Sequence, residues 1–261
     1  MITTVIKKTK KDIHHGHLIL VNRDHPLHQH SIQRTPLSPL SSADFCLYEG
    51  QEILLEQNCC RQLTSLVHTI GATQRLIAVS GYRDVAEQRQ IYSTSLQENG
   101  ADFTAKYVAR PMESEHQTGL AIDLSEQTES VDFIRPSFPN QGICHTFKQL
   151  ASSFGFIERY RHNKQYLTGI SAEPWHFRYV GIPHAQIIEE NNLCLEEYME
   201  FLRSYTYEQK HLWHYCRQGL AEIYYIESSA DVTEIPLPQG TNYQISGNNC
   251  DGFIVTVFHS N

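Results

Sequence analysis

The sequence predicts a mixed fold of helices and strands, followed by a small β module at the carboxy terminus. Between residues 52 and 70, apolar side chains recur at the spacing of an amphipathic helix. Short runs with the composition of strands lie at 75–80, 120–124 and 175–180. After residue 207, β-prone runs alternate with turns rich in proline, glycine and asparagine. We therefore expect two domains, a main domain at 1–207 and an antiparallel accessory module at 208–261.

Composition limits the classes of function that the chain can have. At 261 residues and 30.1 kDa, it is long enough for one main core with an appendage. Hydrophobic residues make up 40% of the chain, which argues against disorder. The net charge of -8 provides no general basic field for phosphate, so a nucleic-acid partner is not expected.

Cysteine usage and apolar patterning bear on the cellular compartment. Seven cysteines, an odd number, do not form the paired framework of a small secreted domain, so reduced thiols are expected. The lysines at positions 7–11 are not followed by the apolar run of a secretory signal. No apolar stretch has the length of a membrane span. These observations predict a cytoplasmic location without a membrane span.

The first half of the chain is predicted to contain two strands and two helices. His17–Asn22 is expected to form a short strand, and the helix at 52–70 is expected to end at Gly71. A strand at 75–80 leads to Asp84 and Glu87, an approximate capping box that opens a helix running toward Gly100. Arg83 therefore lies at a strand-to-helix junction, where side chains often point into sites.

In the second half, residues 101–113 are predicted to form a loop and 120–124 a buried strand. The stretch 130–144 is expected to be a long surface loop that flanks a cleft. Helices are predicted at 143–154 and from Pro183 to about Tyr205, with His184 exposed near the start of the second helix. The carboxy-terminal strands are predicted at 221–226, 231–235, 243–245 and 253–258.

Two separated motifs carry the residues of a catalytic zinc site. In Ser114–Asp123, a histidine precedes an apolar run, and an aspartate seven residues later lies within that run. Downstream, Glu173–His176 supplies a glutamate and a second histidine. Catalytic zinc takes three protein ligands and leaves a fourth position for water. We predict His116, Asp123 and His176 as the ligands of one Zn²⁺ per chain. The chain has no His-Glu-x-x-His helix, which excludes the helical zinc-protease arrangement.

Six further histidines lie near the amino terminus and raise the alternative of a second metal site. Their spacing does not recur and no carboxylate pattern accompanies them, so solvated or locally hydrogen-bonded histidines are the better interpretation. They stand at positions 14, 15, 17, 25, 28 and 30.

The motifs together resemble a known family. Ser-x-His-x-x-Gly-x-Ala-x-Asp followed by Glu-x-Trp-His, with Ser80-Gly81-Tyr82-Arg83 upstream, is similar to the zinc D-alanyl-D-alanine peptidases of the vancomycin-resistance type, the VanX/VanY/VanXY group of peptidase family M15. The resemblance extends over about residues 17–205. It implies an α+β fold with a central antiparallel sheet flanked by helices, a single Zn²⁺, and hydrolysis of a terminal D-Ala-D-Ala unit.

The resemblance also assigns roles to residues. Glu173 corresponds to the catalytic base and Arg83 to the arginine that stabilises the transition state. Ser114 and Gln88 occupy substrate-binding positions. Two further candidates, Tyr82 and Trp175, are equally compatible with ordinary packing. In one departure, Pro111 is followed by Met112 where the family commonly has glycine, which changes the turn at the edge of the pocket.

The main functional hypothesis is a cytoplasmic zinc D,D-peptidase. Its substrate would be a small peptide ending in D-Ala-D-Ala or a cell-wall precursor, and its action would contribute to resistance against vancomycin-type glycopeptides. The balance between dipeptidase and carboxypeptidase activity depends on how a loop closes over the far end of the substrate. One alternative is an L,D-peptidase or cell-wall endopeptidase with the same metal site. Another is a non-catalytic module that binds a cell-wall ligand. The oligomeric state is left open by the sequence.

Overall fold

Helices and strands are mixed along the chain, as the sequence predicts. The computed structural model describes residues 3–28 and 36–259. In these ranges the strands are β1 (Thr3–Thr9), β2 (Leu37–Pro39), β3 (Cys46–Leu47), β4 (Leu54–Glu56), β5 (Leu76–Ser80), β6 (Ala121–Glu126), β7 (Phe156–Tyr160), β8 (Glu173–Tyr179), β9 (Leu212–Cys216), β10 (Gly219–Glu227), β11 (Val232–Pro238), β12 (Asn242–Gly247) and β13 (Gly252–His259). The α-helices are α1 (Gln57–Thr69), α2 (Val85–Tyr107), α3 (Gly142–Ala151), α4 (Gln165–Thr168), α5 (His184–Glu190) and α6 (Leu195–Leu202).

The chain forms two compact units. The central unit is Val21–Gly181, and the terminal unit combines Met1–Leu20 with Ile182–Asn261. These limits differ from the domain boundary predicted at residue 207. The amino-terminal segment belongs to the terminal unit because β1 pairs antiparallel with β11, from Thr3 opposite Pro238 to Thr9 opposite Val232. Residues after 181 belong to it through contacts with the carboxy-terminal strands, such as His184 Nε2 with Thr256 Oγ1 at 2.9 Å.

A five-stranded sheet organises the central unit. Its strand order is β3-β5-β6-β8-β7, and only the short edge pair β3–β5 is parallel. Ser80 lies opposite Asp123, and Asp123 lies opposite His176. The register therefore places three polar side chains in one row across three neighbouring strands.

Helix α1 begins later than the helical spacing predicts. Leu54–Glu56 forms strand β4 and pairs with Leu37–Pro39, so the helix starts only at Gln57. The Glu56 carboxylate accepts hydrogen bonds from the backbone nitrogens of Asn58 and Cys59, at 2.8 and 2.9 Å. These bonds satisfy free donors of the first turn and fix the start of the helix.

Helix α2 runs further than the sequence predicts. The predicted cap is confirmed, because Asp84 Oδ1 accepts from the Glu87 nitrogen at 2.7 Å. Gly100 has φ 80 and interrupts the helix, which then resumes and ends at Tyr107. The Thr104 hydroxyl donates to the Gly100 carbonyl at 2.9 Å and lies 2.7 Å from Ser95 Oγ. These contacts hold the two segments together where a loop was expected.

Three other elements differ from the sequence expectations. The run His17–Asn22 is not a strand, because the Leu18 nitrogen donates to Ser246 Oγ and the Leu20 nitrogen to the Asn248 carbonyl outside any ladder. Strand β7 was missed because it follows directly on Gly155, the left-handed residue that ends the preceding helical turn. The helix predicted from Pro183 is two helices, and the second is capped by Glu197 on the Cys194 nitrogen at 2.8 Å.

The terminal unit is built around antiparallel strands, which confirms the predicted strands near the carboxy terminus. A four-stranded sheet has the order β12-β13-β10-β9, and β1–β11 forms a separate pair. Between them lies an apolar cluster of seven buried residues, Ile13, Tyr224, Ile235, Leu237, Phe253, Val255 and Val257. We call this set the β core.

His184 is buried rather than exposed, contrary to the sequence expectation. It is 3% exposed, and its Nδ1 lies 2.8 Å from the Tyr198 hydroxyl. Its Nε2 lies 2.9 Å from Thr256 Oγ1. Burial lowers the pKa of His184 to about 3, so the imidazole is neutral and is satisfied by two hydroxyl groups.

All seven cysteines, each within the described ranges, are free. Among residues 3–28 and 36–259, the structure has no helix whose length and hydropathy would let it traverse a bilayer.

Candidate metal centre

Three predicted ligands meet at the centre of the five-stranded sheet. His116 Nε2 lies 3.1 Å from Asp123 Oδ2, and His176 Nδ1 lies 2.9 Å from Asp123 Oδ1. One ligand atom from each residue lies within 4.8 Å of the other two. All three side chains are at most 7% exposed, so the cluster is closed to bulk water except through its cavity.

Two glycines let the backbone bring these residues together. Gly119 has φ 72 and turns the chain from the short 3₁₀ helix Glu115–Thr118 into β6, and a Cβ there would stand 2.8 Å from Leu37 Cδ2. At Gly81 a Cβ would stand 2.5 Å from the Leu54 carbonyl oxygen. A side chain at either position would force the motif away from its neighbours.

Hydrogen bonds on the far side of each imidazole fix which nitrogen faces the centre. His116 Nδ1 donates to the Gly81 carbonyl oxygen at 2.7 Å. His176 Nε2 donates to Glu115 Oε2 at 3.3 Å. His116 Nε2 and His176 Nδ1 are thereby directed to the same point as the Asp123 carboxylate. Two oriented imidazole nitrogens and a carboxylate oxygen are a donor set that fits zinc, with a carbonyl or carboxylate behind each histidine.

Sequence reasoning missed the buried ion cluster that holds Glu115. Arg159 Nε and Arg178 Nη1 both donate to Glu115 Oε1, at 2.8 and 2.7 Å. All three side chains have no exposed area. Burial would raise the pKa of Glu115, but the two guanidinium groups and His176 outweigh it and hold that pKa well below its usual range. The signal available in the sequence was an arginine next to aromatic residues in β7 and in β8.

The remaining titratable groups of the centre have displaced pKa values. Burial raises the pKa of Glu173 to about 8, and the Asp123 charge adds to this. Burial alone would lower the pKa of His176, but its contacts with Asp123 and Glu115 raise it to about 9. Burial and the Arg83 charge lower the pKa of His116 to about 4. A dication at the centre would favour the deprotonated form of each of these groups.

Arg83 reaches the centre from the junction between β5 and α2. Its Nη2 donates to Asp123 Oδ2 at 3.0 Å, and its Nε donates to Ser80 Oγ at 2.8 Å. Gln88 lies beside it, with Oε1 3.4 Å from Arg83 Nη1 and Nε2 bonded to the Ala109 carbonyl at 2.8 Å. The guanidinium is 9% exposed, so its charge faces a site from which water is largely excluded.

A cavity opens onto these groups. Ser114, Gln88 and Trp175 line it together with Arg83, Glu173 and the three predicted ligands. Phe133 and Ile134 of the loop predicted to flank the cleft also line it. Tyr82 is half-buried and is not among the lining residues. Met112, which stands where the family commonly has glycine, adopts a left-handed backbone conformation with φ 74. Its backbone nitrogen donates a hydrogen bond to Gln117 Oε1 at 2.7 Å.

Among the described residues, His116, Asp123 and His176 form the single cluster of histidine, cysteine and acidic side chains with metal-binding geometry. The described amino-terminal histidines 14, 15, 17, 25 and 28 form none, and His30 lies outside the described residues.

Comparison with known proteins identifies the family. A family model described as VanY, D-alanyl-D-alanine carboxypeptidase, matches residues 52–182, about half of the chain. The chain belongs to the VanY family. A relative from Enterococcus gallinarum, named bifunctional D-Ala-D-Ala dipeptidase and D-Ala-D-Ala carboxypeptidase VanXYC, is 41% identical over 189 residues, which cover 71% of this chain and 94% of the relative. The resemblance drawn from the motifs is thus confirmed.

Two solved structures of similar proteins bear on the site. The crystal structure of the vancomycin-resistance D,D-dipeptidase VanXYg, in complex with a D-Ala-D-Ala phosphinate analogue, has a TM-score of 0.93 and 42% identity and covers 99% of this chain and 100% of that one. A mutant of the D,D-pentapeptidase VanY from a VanB-type cassette, in complex with Zn(II), has a TM-score of 0.55 and 30% identity, and covers 70% of this chain and 98% of that one. The first match extends over both units and confirms the predicted α+β fold.

Proposed function

We propose that this VanY-family chain hydrolyses peptides that end in D-Ala-D-Ala, with one zinc ion held by His116, Asp123 and His176. The observation that carries the proposal is the convergence of these three donors within 4.8 Å, beside the buried carboxylate of Glu173. Zinc in such a site acts as a Lewis acid, which makes water more acidic and a carbonyl carbon more electrophilic.

Glu173 is the proposed general base. Its Oε2 lies 3.8 Å from His176 Nδ1, next to the point where the donors meet. A carboxyl whose pKa is about 8 when the centre holds no cation can hold or release a proton near neutrality. It accepts the proton of the attacking water and returns one to the leaving amine. Glu173 is not one of the three convergent donors, which leaves it free for this transfer.

Arg83 is the proposed stabiliser of developing negative charge. Its hydrogen bonds to Ser80 and Asp123 fix the guanidinium before substrate arrives. A fixed cation in a site that excludes water stabilises an oxyanion more strongly than a flexible surface charge does. Ser114, Gln88 and Trp175 line the cavity and are proposed to contact substrate. Tyr82 is also predicted to contact substrate, although it is not among the residues that line the cavity.

The substrate class is supported by the relatives of the chain. VanXYC is named for both dipeptidase and carboxypeptidase activity on D-Ala-D-Ala. We infer the same two reactions here, with a small peptide or cell-wall precursor as substrate and with a contribution to vancomycin-type resistance. The VanXYg match covers 99% of this chain. This extent supports D,D-peptidase activity over the alternative of an L,D-peptidase or cell-wall endopeptidase, which rests only on the same metal site.

Release of amino acids from defined peptides tests the proposal. Zinc-loaded protein is expected to liberate D-alanine from D-Ala-D-Ala and from a pentapeptide ending in it, and a chelator is expected to abolish both. Peptides with a scissile L,D bond test the L,D-peptidase alternative. Tight binding of D-Ala-D-Ala without release of D-alanine would instead favour the non-catalytic binding module.

A further inference from the structure

A second cavity adjoins the catalytic cavity within the central unit, and the proposed chemistry does not use it. Four residues, Val108, Ala109, Tyr160 and Ile170, line both cavities. The second cavity, which we call the outer groove, has a volume of about 260 Å³, against about 40 Å³ for the catalytic cavity. The space beside the reacting centre therefore continues into a much larger one.

The chemistry of the proposed reaction determines what can extend into that space. A peptide cleaved before its last residue ends within the catalytic cavity, so only its amino-terminal part continues beyond the reacting bond. We propose that the outer groove binds the residues that precede D-Ala-D-Ala in a longer precursor peptide. This inference rests on the proposed function and adds a subsite that distinguishes a pentapeptide from the free dipeptide.

The walls of the outer groove carry charges of both signs. Arg23 and Arg110 contribute exposed cations, and Asp24 and Glu113 contribute carboxylates. Tyr166, which is 81% exposed, adds an aromatic surface. Such a surface suits a peptide that carries both a free carboxylate and an amine, because each charge finds a partner of opposite sign. It does not suit a purely apolar ligand.

The outer groove should therefore determine specificity without taking part in the reaction itself. The proposed catalytic residues line the catalytic cavity and are absent from the lining of the outer groove. The free dipeptide has no residue before D-Ala-D-Ala, so it places nothing in the outer groove. Its turnover thus reports an intact reacting centre, whereas turnover of a longer peptide reports both cavities.

Filling the groove tests the proposal. Ala105 is exposed on α2 and lines the outer groove, so Ala105→Trp would occupy it. Ala101→Trp is a matched control on the same helix, exposed and outside both linings. We expect Ala105→Trp to lower kcat/KM for L-Ala-γ-D-Glu-L-Lys-D-Ala-D-Ala about tenfold or more and to leave D-Ala-D-Ala turnover unchanged. Arg110→Ala is expected to lower the pentapeptide value about threefold.

Each other outcome overturns the proposal. An equal loss for both substrates, or no loss for the pentapeptide, contradicts a groove that serves longer peptides. Binding of the same pentapeptide to zinc-loaded Glu173→Gln protein, measured by calorimetry with and without Ala105→Trp, provides a second readout. If the wild-type protein cleaves neither substrate, the proposed function fails, and this binding measurement alone decides the groove. If the Kd of the pentapeptide is the same with and without Ala105→Trp, the proposed role of the outer groove is then overturned.

Discussion

The predicted metal centre of the central unit and the β core of the terminal unit bury very different side chains. At the metal centre, the central unit buries Glu115, Arg159 and Arg178 without any exposed area, close to Asp123 and Arg83. The β core of the terminal unit contains aliphatic and aromatic side chains only. Buried charges require compensating partners, whereas buried hydrocarbon is favourable without any.

The contrast predicts which of the two clusters serves function and which serves stability. Replacement of a buried ion cluster by apolar residues often leaves a protein as stable or more so, so such a cluster is poor evidence of a role in stability. Here the cluster bonds directly to His176 through Glu115. Variants of the predicted metal centre should therefore change metal binding and turnover, and variants of the β core should change stability without changing turnover.

The largest expected effect on turnover follows from loss of the proposed base. Glu173→Gln removes the proton acceptor and keeps the shape of the side chain, so kcat should fall about a thousandfold. Zinc content, measured by atomic emission, should stay near one per chain. His116→Ala is the matched contrast, and it should lose zinc as well as activity. Equal zinc loss in both variants would contradict the division of roles between ligand and base.

Arg83→Ala should lower kcat/KM by about a hundredfold, as for loss of a preorganised oxyanion donor. Arg83→Lys keeps the charge but lacks the planar fork that bonds to both Ser80 and Asp123, and it should recover only part of the loss. Steady-state kinetics and melting curves measure both variants. A melting temperature that falls in proportion to activity would assign Arg83 to the structure instead.

Glu115→Gln should weaken zinc binding by about ten- to a hundredfold, because the partner that orients His176 loses its charge. Competition with a chromophoric chelator measures the affinity, and the absorption spectrum of the cobalt-substituted protein reports the ligand geometry. Lys148 pairs with Glu158 on the surface at 3.2 Å, so Glu158→Gln provides a control with the same change of charge. If Glu115→Gln binds zinc as tightly as the wild-type protein does, the ion cluster contributes to packing and not to metal binding.

Zinc affinity should also depend on pH with a defined sign. His176 has a pKa of about 9 in the metal-free centre, so below that pH the ligand must release a proton before it binds. The apparent affinity should therefore rise about tenfold per pH unit from pH 7 toward 9. His116, with a pKa of about 4, is already neutral and adds no slope there. Titrations in buffers that do not bind zinc test this, and a flat profile would refute it.

The smallest effect on turnover is expected in the β core. Ile235→Ala removes a fully buried side chain, so the free energy of unfolding should fall by about 2–5 kcal/mol. Turnover per folded molecule should be unchanged, because the proposed catalytic residues all lie in the central unit. Urea unfolding followed by kinetics at low temperature measures both. A clear loss of kcat in the folded variant would remove the contrast between the units.

The sequence predicted the convergence of His116, Asp123 and His176 better than it predicted the surroundings of these residues. His116, Asp123 and His176 could be chosen because two histidines and an aspartate, set in short motifs beside apolar runs, form a donor set typical of catalytic zinc. The roles of Glu115, Arg159 and Arg178 could not be predicted, because buried charge pairing depends on strand register, which connects residues more than forty positions apart. The Glu173 and Arg83 assignments stay predictions until the variants are measured.

The same limit applies to the fold. Local signals such as the Asp84 cap were sufficient to predict where α2 begins, but the start of α1 depended on pairing with the distant strand β2. The apolar run at 17–22 has strand composition, yet its backbone bonds to Ser246 and Asn248 instead of to a ladder. Local composition therefore predicts element type, while long-range pairing determines the boundaries.

The pairing of β1 with β11 has a consequence for synthesis of the chain. During translation, residues 21–181 emerge as one continuous segment and can begin to fold while the ribosome is still working. Thr3–Thr9 must wait until residues 232–238 have been made before it acquires its partner. Thr3–Thr9 leaves the exit tunnel before residues 21–181 and is thus among the last segments to reach its native hydrogen bonds.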